Sequence, residues 1–335
     1  MAEKIIGGFW MGRVKNEHYV PQSYLRAFAN KKEQLFVYDK VKKTYYISKV
    51  DKVAAEGKYF DLPLPEGVSI PEVEKMNEEQ LIEKHFAEKI EGPYKRYLNQ
   101  IRTRYVMTVK PEGKTAITGE EKGHLSYLIA VQMLRTKQYR ENMGALENKL
   151  AQLLADDIMK KNFSDYEDGK VQVKAPEINK RIMQVSMLFD KEKVEPIAKH
   201  LHKHCWFVCI NNTEQPFYTS DNPVVRHAHK EDKLMSYGGI ASEGIEIVLP
   251  LSSNLILVMV ERSFHSDLIA VENQFVTLPT IESVDFYNFL QVSQSNRQIF
   301  CLAEKFDLIE KMKEEQPELL EVRDNVEIRH NGKVY

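Results

Sequence analysis

Two segments of this chain hold residue types that can move protons. The first is His18-Tyr19-Val20-Pro21-Gln22-Ser23-Tyr24-Leu25-Arg26-Ala27-Phe28. Pro21 suits the first position of a short helix, where a missing N–H costs nothing, and Tyr24, Leu25 and Phe28 then share one apolar face. His18 and Gln22 are left near the mouth of that turn. A helix N-terminus carries unpaired N–H groups and partial positive charge, which favours a neutral imidazole fit for a general base or a metal ligand. The second segment is Pro216-Phe217-Tyr218-Thr219-Ser220-Asp221-Asn222-Pro223-Val224. It reads as a strand running into short polar side chains, a place where catalytic groups are mounted on a rigid sheet. The same residues before proline also make Asx-turns, in which Asp or Asn bonds the backbone two residues on. A neutral histidine beside a carboxylate is the minimal unit for proton abstraction. The expectation is therefore that His18 and Asp221, about 200 residues apart, meet through a hydrogen bond or one bridging water.

Three further groups could serve such a pair. Arg135 and Arg140, with Lys137, form a basic cluster near the expected end of a long helix, where a guanidinium fork could hold a phosphate; the helix dipole alone also favours cations there. Gln132 lies amid an apolar helical stripe, so a buried amide must either pin a loop or read a ligand. A Mg²⁺ site built on Asp221 and another carboxylate needs few protein ligands. Zinc fits poorly. His200, His202, His204, Cys205, Cys209, His227 and His229 are donors, but a helix would turn His202 away from His200 and His204, and no C-x-x-C or H-E-x-x-H completes a set.

Familiar signatures of other chemistries are missing: there is no P-loop, no dinucleotide glycine fingerprint and no G-x-S-x-G elbow. Residues 95–105 interleave Lys95, Arg96, Arg102 and Arg104 with Tyr97 and Tyr105. Such a stretch could follow a nucleic-acid backbone while rings stack on bases, or be an amphipathic helix whose arginines snorkel. Nucleic acid is thus the expected class of macromolecular partner if there is one.

These residues must be carried by a chain of 335 residues, enough for a full core without disulfides or metals. The formal net charge of −2 gives no global pull toward nucleic acid or membrane. Three cysteines, with Cys205 and Cys209 alternating in a strand-like run, read as buried thiols of a reducing compartment; at strand spacing the pair stands about 13 Å apart, too far for a bridge. No stretch reaches the length of a membrane span and the opening residues lack a secretory pattern, so the expectation is a cytoplasmic protein with no membrane contact.

Along the chain, residues 35–39 and 44–48 read as a hairpin, Gly92-Pro93 as a helix break or kink, and residues 119–143 as one helix opened by a Thr118/Glu121 capping box, followed by another over 146–161. Residues 163–176 read as an exposed loop. Residues 205–210 with 216–219, and 245–249 with 255–260, read as two more hairpins; 282–294 is helical, 298–302 a strand and 306–313 a last helix. Helices and strands are grouped rather than alternating, which gives an α+β fold: an N-terminal β-hairpin, a helical middle, and a C-terminal, mainly antiparallel sheet with flanking helices. Residues 1–335 read as a single unit, with a subdivision at the loop into 14–162 and 177–335.

The two chemical segments together resemble the family catalogued as domain of unknown function 4238. Residues 18–28 are similar to its N-terminal signature and Ser220-Asp221-Asn222-Pro223-Val224 to its second; Gln132-Met133-Leu134-Arg135 and Leu249-Pro250-Leu251-Ser252 resemble its middle and late motifs. Motif order and spacing agree across about 230 residues. The resemblance implies a largely bacterial protein of this length and marks His18, Pro21, Tyr24, Asp221 and Asn222 as signature positions, but it implies no reaction. From the residues themselves, the leading expectation is a nuclease-like hydrolase of phosphodiester bonds, with His18 as acid/base, Asp221 orienting it or holding a metal, Arg135 on the phosphate, and Gln22, Gln132, Ser220, Asn222 and Arg140 around the ligand. The alternative is a non-enzymatic ligand- or partner-binding protein whose signature segments are structural. An enzyme would bring His18, Asp221 and Arg135 onto an open cleft; the alternative would bury them and pair them with backbone.

Overall fold

A computed structural model describes residues 15–64, 66–232, 235–322, 326, 329–330 and 333–334. The chain opens with β1 (Glu17–His18), the single turn α1 (Gln22–Leu25), the hairpin β2 (Gln34–Asp39) and β3 (Thr44–Lys49), and β4 (Ala55–Glu56), which returns to pair with β1. The helical middle follows: α2 (Pro71–Glu78), α3 (Leu81–His85), a π-helical segment Phe86–Glu91, α4 (Gly92–Met107), α5 (Gly119–Arg135), α6 (Lys137–Asn162), α7 (Glu177–Phe189) and α8 (Lys191–Lys203). The last part holds β5 (Cys205–Ile210), β6 (Thr219–Ser220), β7 (Val225–Ala228), β8 (Ile245–Ser252), β9 (Leu255–Val260), β10 (Phe275–Thr277), α9 (Ile281–Gln294), β11 (Gln298–Cys301), α10 (Asp307–Glu315) and the small ribbon β12 (Arg329–His330) and β13 (Lys333–Val334). This is the α+β arrangement expected.

Two sheets carry the fold. One has the order β10-β5-β9-β8-β7, antiparallel except for the β10/β5 pair; the other is the antiparallel β3-β2-β11-β6. Strand β5 is buried on both faces. Trp206, Val208 and Ile210 enter the main core with α5 and α8, while Cys205, Phe207 and Cys209 face the layer made by α9, as the two-residue period of a strand dictates. The three cysteines, Cys205, Cys209 and Cys301, are free and buried.

Several elements differ from the sequence reading. Residues 216–219 do not form a hairpin with β5; the chain passes on, and β6 pairs with β11 in the other sheet. The expected helix over 119–143 ends at Arg135, and a new one starts at Lys137. The break is Thr136, which is extended (ψ 156°) and caps α6 by accepting from the Tyr139 N–H. Gln184 of α7 donates to the carbonyls of Leu134 (2.9 Å) and Thr136 (3.0 Å). The end of α5 is thus satisfied from 50 residues away in sequence, which local periodicity does not reveal. The capping box of Thr118 and Glu121 is present as expected. Pro250 lies in β8 beyond the four residues that β7 pairs, so its missing N–H leaves no gap on that side.

Candidate functional site

His18 is not at a helix mouth. It lies in β1, opposite Ala55, with Pro21 as the N-cap of α1. Its ring is buried, and burial lowers its pKa ahead of any effect from Glu91 or Arg135. Nδ1 stands 3.5 Å from the Gln22 amide, and Nε2 has no partner. The neutral imidazole expected is favoured here by desolvation rather than by a helix dipole.

Behind His18 lies Arg135, fully buried. Its Nη2 donates to the His18 carbonyl and to Glu91 Oε1 (3.0 Å). Its guanidinium carbon stands 4.5 Å from the Phe86 ring centre and 6.0 Å from that of Phe60, so aromatic faces replace part of the water it has lost. Both Phe86 and Glu91 belong to the π-helical segment, whose wider turn brings them to the same guanidinium. Nε and Nη1 of Arg135 are buried without acceptors. Glu83, one turn earlier, has a buried Oε2 without a donor, and its pKa is raised by burial to about 7 although Arg135 opposes the shift. Gln132, one turn before Arg135, donates to the Tyr19 carbonyl at 3.1 Å. Of the two roles open to Gln132, this bond performs the pinning one: α5 fastens His18 and Tyr19 by their backbone.

Asp221 belongs to a different constellation. Its carboxylate accepts from the backbone N–H groups of Asn296 (2.9 Å), Arg297 (2.8 Å) and Gln298 (2.9 Å), and its own N–H donates to the Gln298 carbonyl (3.0 Å). Burial raises its pKa to about 6, with the three N–H donors and Lys40 holding it down against a larger rise. No hydrogen bond joins it to His18. The segment makes the turn that Asp and Asn favour: Ser220 Oγ donates to Gln291 Oε1 (2.8 Å) and accepts from the Asn222 N–H (3.2 Å), while the Asn222 amide donates to the Gln294 carbonyl (2.9 Å). Tyr24, from the first signature, reaches the same region; its hydroxyl lies 2.7 Å from Thr219 Oγ1 and donates to the Pro250 carbonyl (2.8 Å).

The basic residues are mostly engaged. Arg140 lies 3.6 Å from the Tyr59 ring centre and donates to Gln184 (2.7 Å) and the Tyr59 carbonyl (2.8 Å). Lys137 pairs with Glu56. On α4, Arg102 donates to the Leu251 carbonyl (2.7 Å), and Arg104 makes a two-pronged pair with Glu121 (3.0 and 2.8 Å). His204 is 2.9 Å from the Ile240 carbonyl, and His229 is 2.6 Å from Glu246. Among the described residues no group of three or more His, Cys, Asp or Glu side chains is placed to hold a metal ion, and each Asp221 oxygen accepts at least one backbone N–H. No helix among the described residues is long and apolar enough to cross a membrane.

An open cavity of about 630 Å³ lies beside these segments, where the α5/α6 junction meets β7 and β8. Asn222, Thr136, Gln138, Tyr139 and Gln294 are among its polar lining; Met133, Leu134, Ile197, Val225 and Ile247 supply apolar wall. Arg226 also lines it, opposite Ile247 across the β7/β8 ladder. Neither Arg226 nor Glu83 and Glu91 stood out in the sequence, since a lone arginine in a strand or glutamates in a charged helix have no distinguishing spacing.

No curated protein and no solved structure matches this chain. A family model described as "Protein of unknown function (DUF4238)" matches residues 16–304, a span that takes in the His18 strand, the Arg135 helix end and the Asp221 turn. The chain belongs to the DUF4238 family.

Proposed function

We propose that this protein is a non-enzymatic ligand-binding protein whose signature segments act as fasteners of the fold. The observation that carries this reading is the state of Asp221: a fully buried carboxylate with three backbone N–H donors on its two oxygens. A general-base orienter must touch the imidazole and a catalytic metal ligand must be open to ion and substrate, whereas Asp221 is fully buried, makes no hydrogen bond to His18 and spends its acceptors on backbone N–H groups. The other signature side chains support the same reading, because Gln132, Arg135, Asn222 and Tyr24 all reach backbone carbonyls of distant segments. Arg102 and Arg104, two of the four cations of the stretch read as a nucleic-acid path, have their guanidinium groups turned to the protein's own acceptors.

The test is an assay of wild-type protein and His18→Gln with single- and double-stranded oligonucleotides, with and without Mg²⁺. The expected result is no cleavage by either, with His18→Gln costing at most about 1–2 kcal/mol of stability, because the ring makes one weak side-chain contact. Metal-dependent cleavage by the wild type that disappears in a folded His18→Gln protein would restore the hydrolase reading, since loss of a general base removes about 10²–10⁴ in rate.

A further inference from the structure

We propose that the cavity at the α5/α6 junction is a binding site for a small organic anion, with the anionic group at Arg226 and the first turn of α6 and the organic part against the apolar wall. The proposal rests on the binding reading above and gives it a ligand class.

Three independent features converge. Among the described residues the lining includes no aspartate or glutamate, and Arg226 is its one full charge. The Arg226 side chain is exposed at this edge strand and has no ion-pair or hydrogen-bond partner among the described residues, and the protein around it lowers its pKa by desolvation with no acidic group opposing. An accessible guanidinium without a counter-ion at a cavity wall can take an incoming anion through its planar fork of N–H donors. The second feature is α6, a 26-residue helix whose cap Thr136 and first-turn residues Gln138 and Tyr139 line the cavity and whose first turn contains no acidic side chain. Its partial positive end is therefore uncompensated by its own residues on the side where Arg226 stands. The third is rigidity. Gln294 accepts from the Arg226 N–H (3.1 Å) and donates to the Arg226 carbonyl (2.7 Å), which clamps this edge-strand residue on the free side of β7. The volume exceeds that of an inorganic anion and falls in the range of small-molecule pockets, and Met133, Leu134, Ile197, Val225 and Ile247 provide for a carbon body.

The chemistry names an anion carrying an apolar body, and phosphate and carboxylate esters or acids share it. The experiment uses phenyl phosphate, benzoate, inorganic phosphate and benzyl alcohol as probes, titrated calorimetrically into the full chain. The expected result is saturable binding of phenyl phosphate or benzoate that weakens as salt rises, with weaker binding of inorganic phosphate and of neutral benzyl alcohol; which of the two aromatic anions binds tighter identifies the headgroup. Arg226→Gln should weaken the preferred anion about tenfold or more, and Arg226→Lys should restore part of the loss. Because Arg226 is an exposed edge-strand side chain without partners, both variants should keep the wild-type melting temperature. Absence of saturable binding by either aromatic anion, equal binding to Arg226→Gln, or equal affinity for benzyl alcohol would overturn the proposal. The outcome is separable from the preceding test: oligonucleotide cleavage would overturn the non-enzymatic reading whether or not these probes bind, and failed titrations with no cleavage would leave that reading standing with a different ligand.

Discussion

At the scale of single residues, the unusual feature is how much polarity the His18 side of the molecule keeps buried. His18 Nε2, Arg135 Nε and Nη1 and Glu83 Oε2 are all without partners, and each such group is costly unless its charge state adapts. Glu83 is the one that adapts near neutral pH. Its folded pKa of about 7 stands above the ordinary glutamate value, so the folded state holds a proton that the unfolded chain releases. Stability contributed by this group is complete below about pH 4.5 and falls as pH rises through 7. Glu83→Gln removes that dependence. The variant should therefore gain on the wild type as pH is raised from 5 to 8, by about 1–2 kcal/mol after allowance for the residue's partial exposure, measured as the difference in denaturant midpoints at the two pH values. A difference that shrinks over this interval would show that Glu83 is ionised in the fold and paired. His18 itself was legible as a special residue but not in its role: its type and its nearness to Pro21 mark it, whereas the carbonyl that Arg135 grips is a backbone atom, and any residue type supplies one.

At the scale of elements, the sequence is most readable where the partners are local. Thr118 and Glu121 are three residues apart and close their capping box as read; β2 and β3, and β8 and β9, are adjacent in sequence and pair as read. It is least readable where a distant side chain ends an element. The α5/α6 break depends on Gln184, which is buried, donates to Leu134 and Thr136, and accepts from Arg140 at 2.7 Å. Replacing it by leucine keeps the volume roughly but strands two carbonyls and an arginine N–H. Gln184→Leu should cost about 2–4 kcal/mol in chemical denaturation; a loss under about 1 kcal/mol would mean that water or a shifted α6 satisfies those groups. The β5–β6 hairpin failed for a related reason. A two-residue strand has too little pattern to show its partner, and β6 finds β11, about 80 residues on, through α9, whose Asn288 donates to the Pro216 carbonyl and accepts from the Tyr218 N–H.

At the scale of the whole molecule, β11 joins the beginning of the chain to its end: it pairs with β2 on one side and β6 on the other. Asp221 stands where that union is made, since the three N–H groups it accepts belong to Asn296, Arg297 and Gln298, the residues that lead into β11. Arg297 in turn makes a two-pronged pair with Asp39 at the end of β2, with bonds of 2.8 to 3.0 Å. The second signature thus fastens the sheet that the first part of the chain begins, and the first signature is fastened to α5 by Gln132 and Arg135. An account in which these residues are structural stands most directly on Asp221. The measurement is equilibrium denaturation of Asp221→Asn beside the wild type. An asparagine would turn an N–H₂ group toward at least one of three buried N–H donors, so the variant should lose about 2–4 kcal/mol with an unchanged denaturant slope. An Asp221→Asn protein as stable as the wild type would contradict the account.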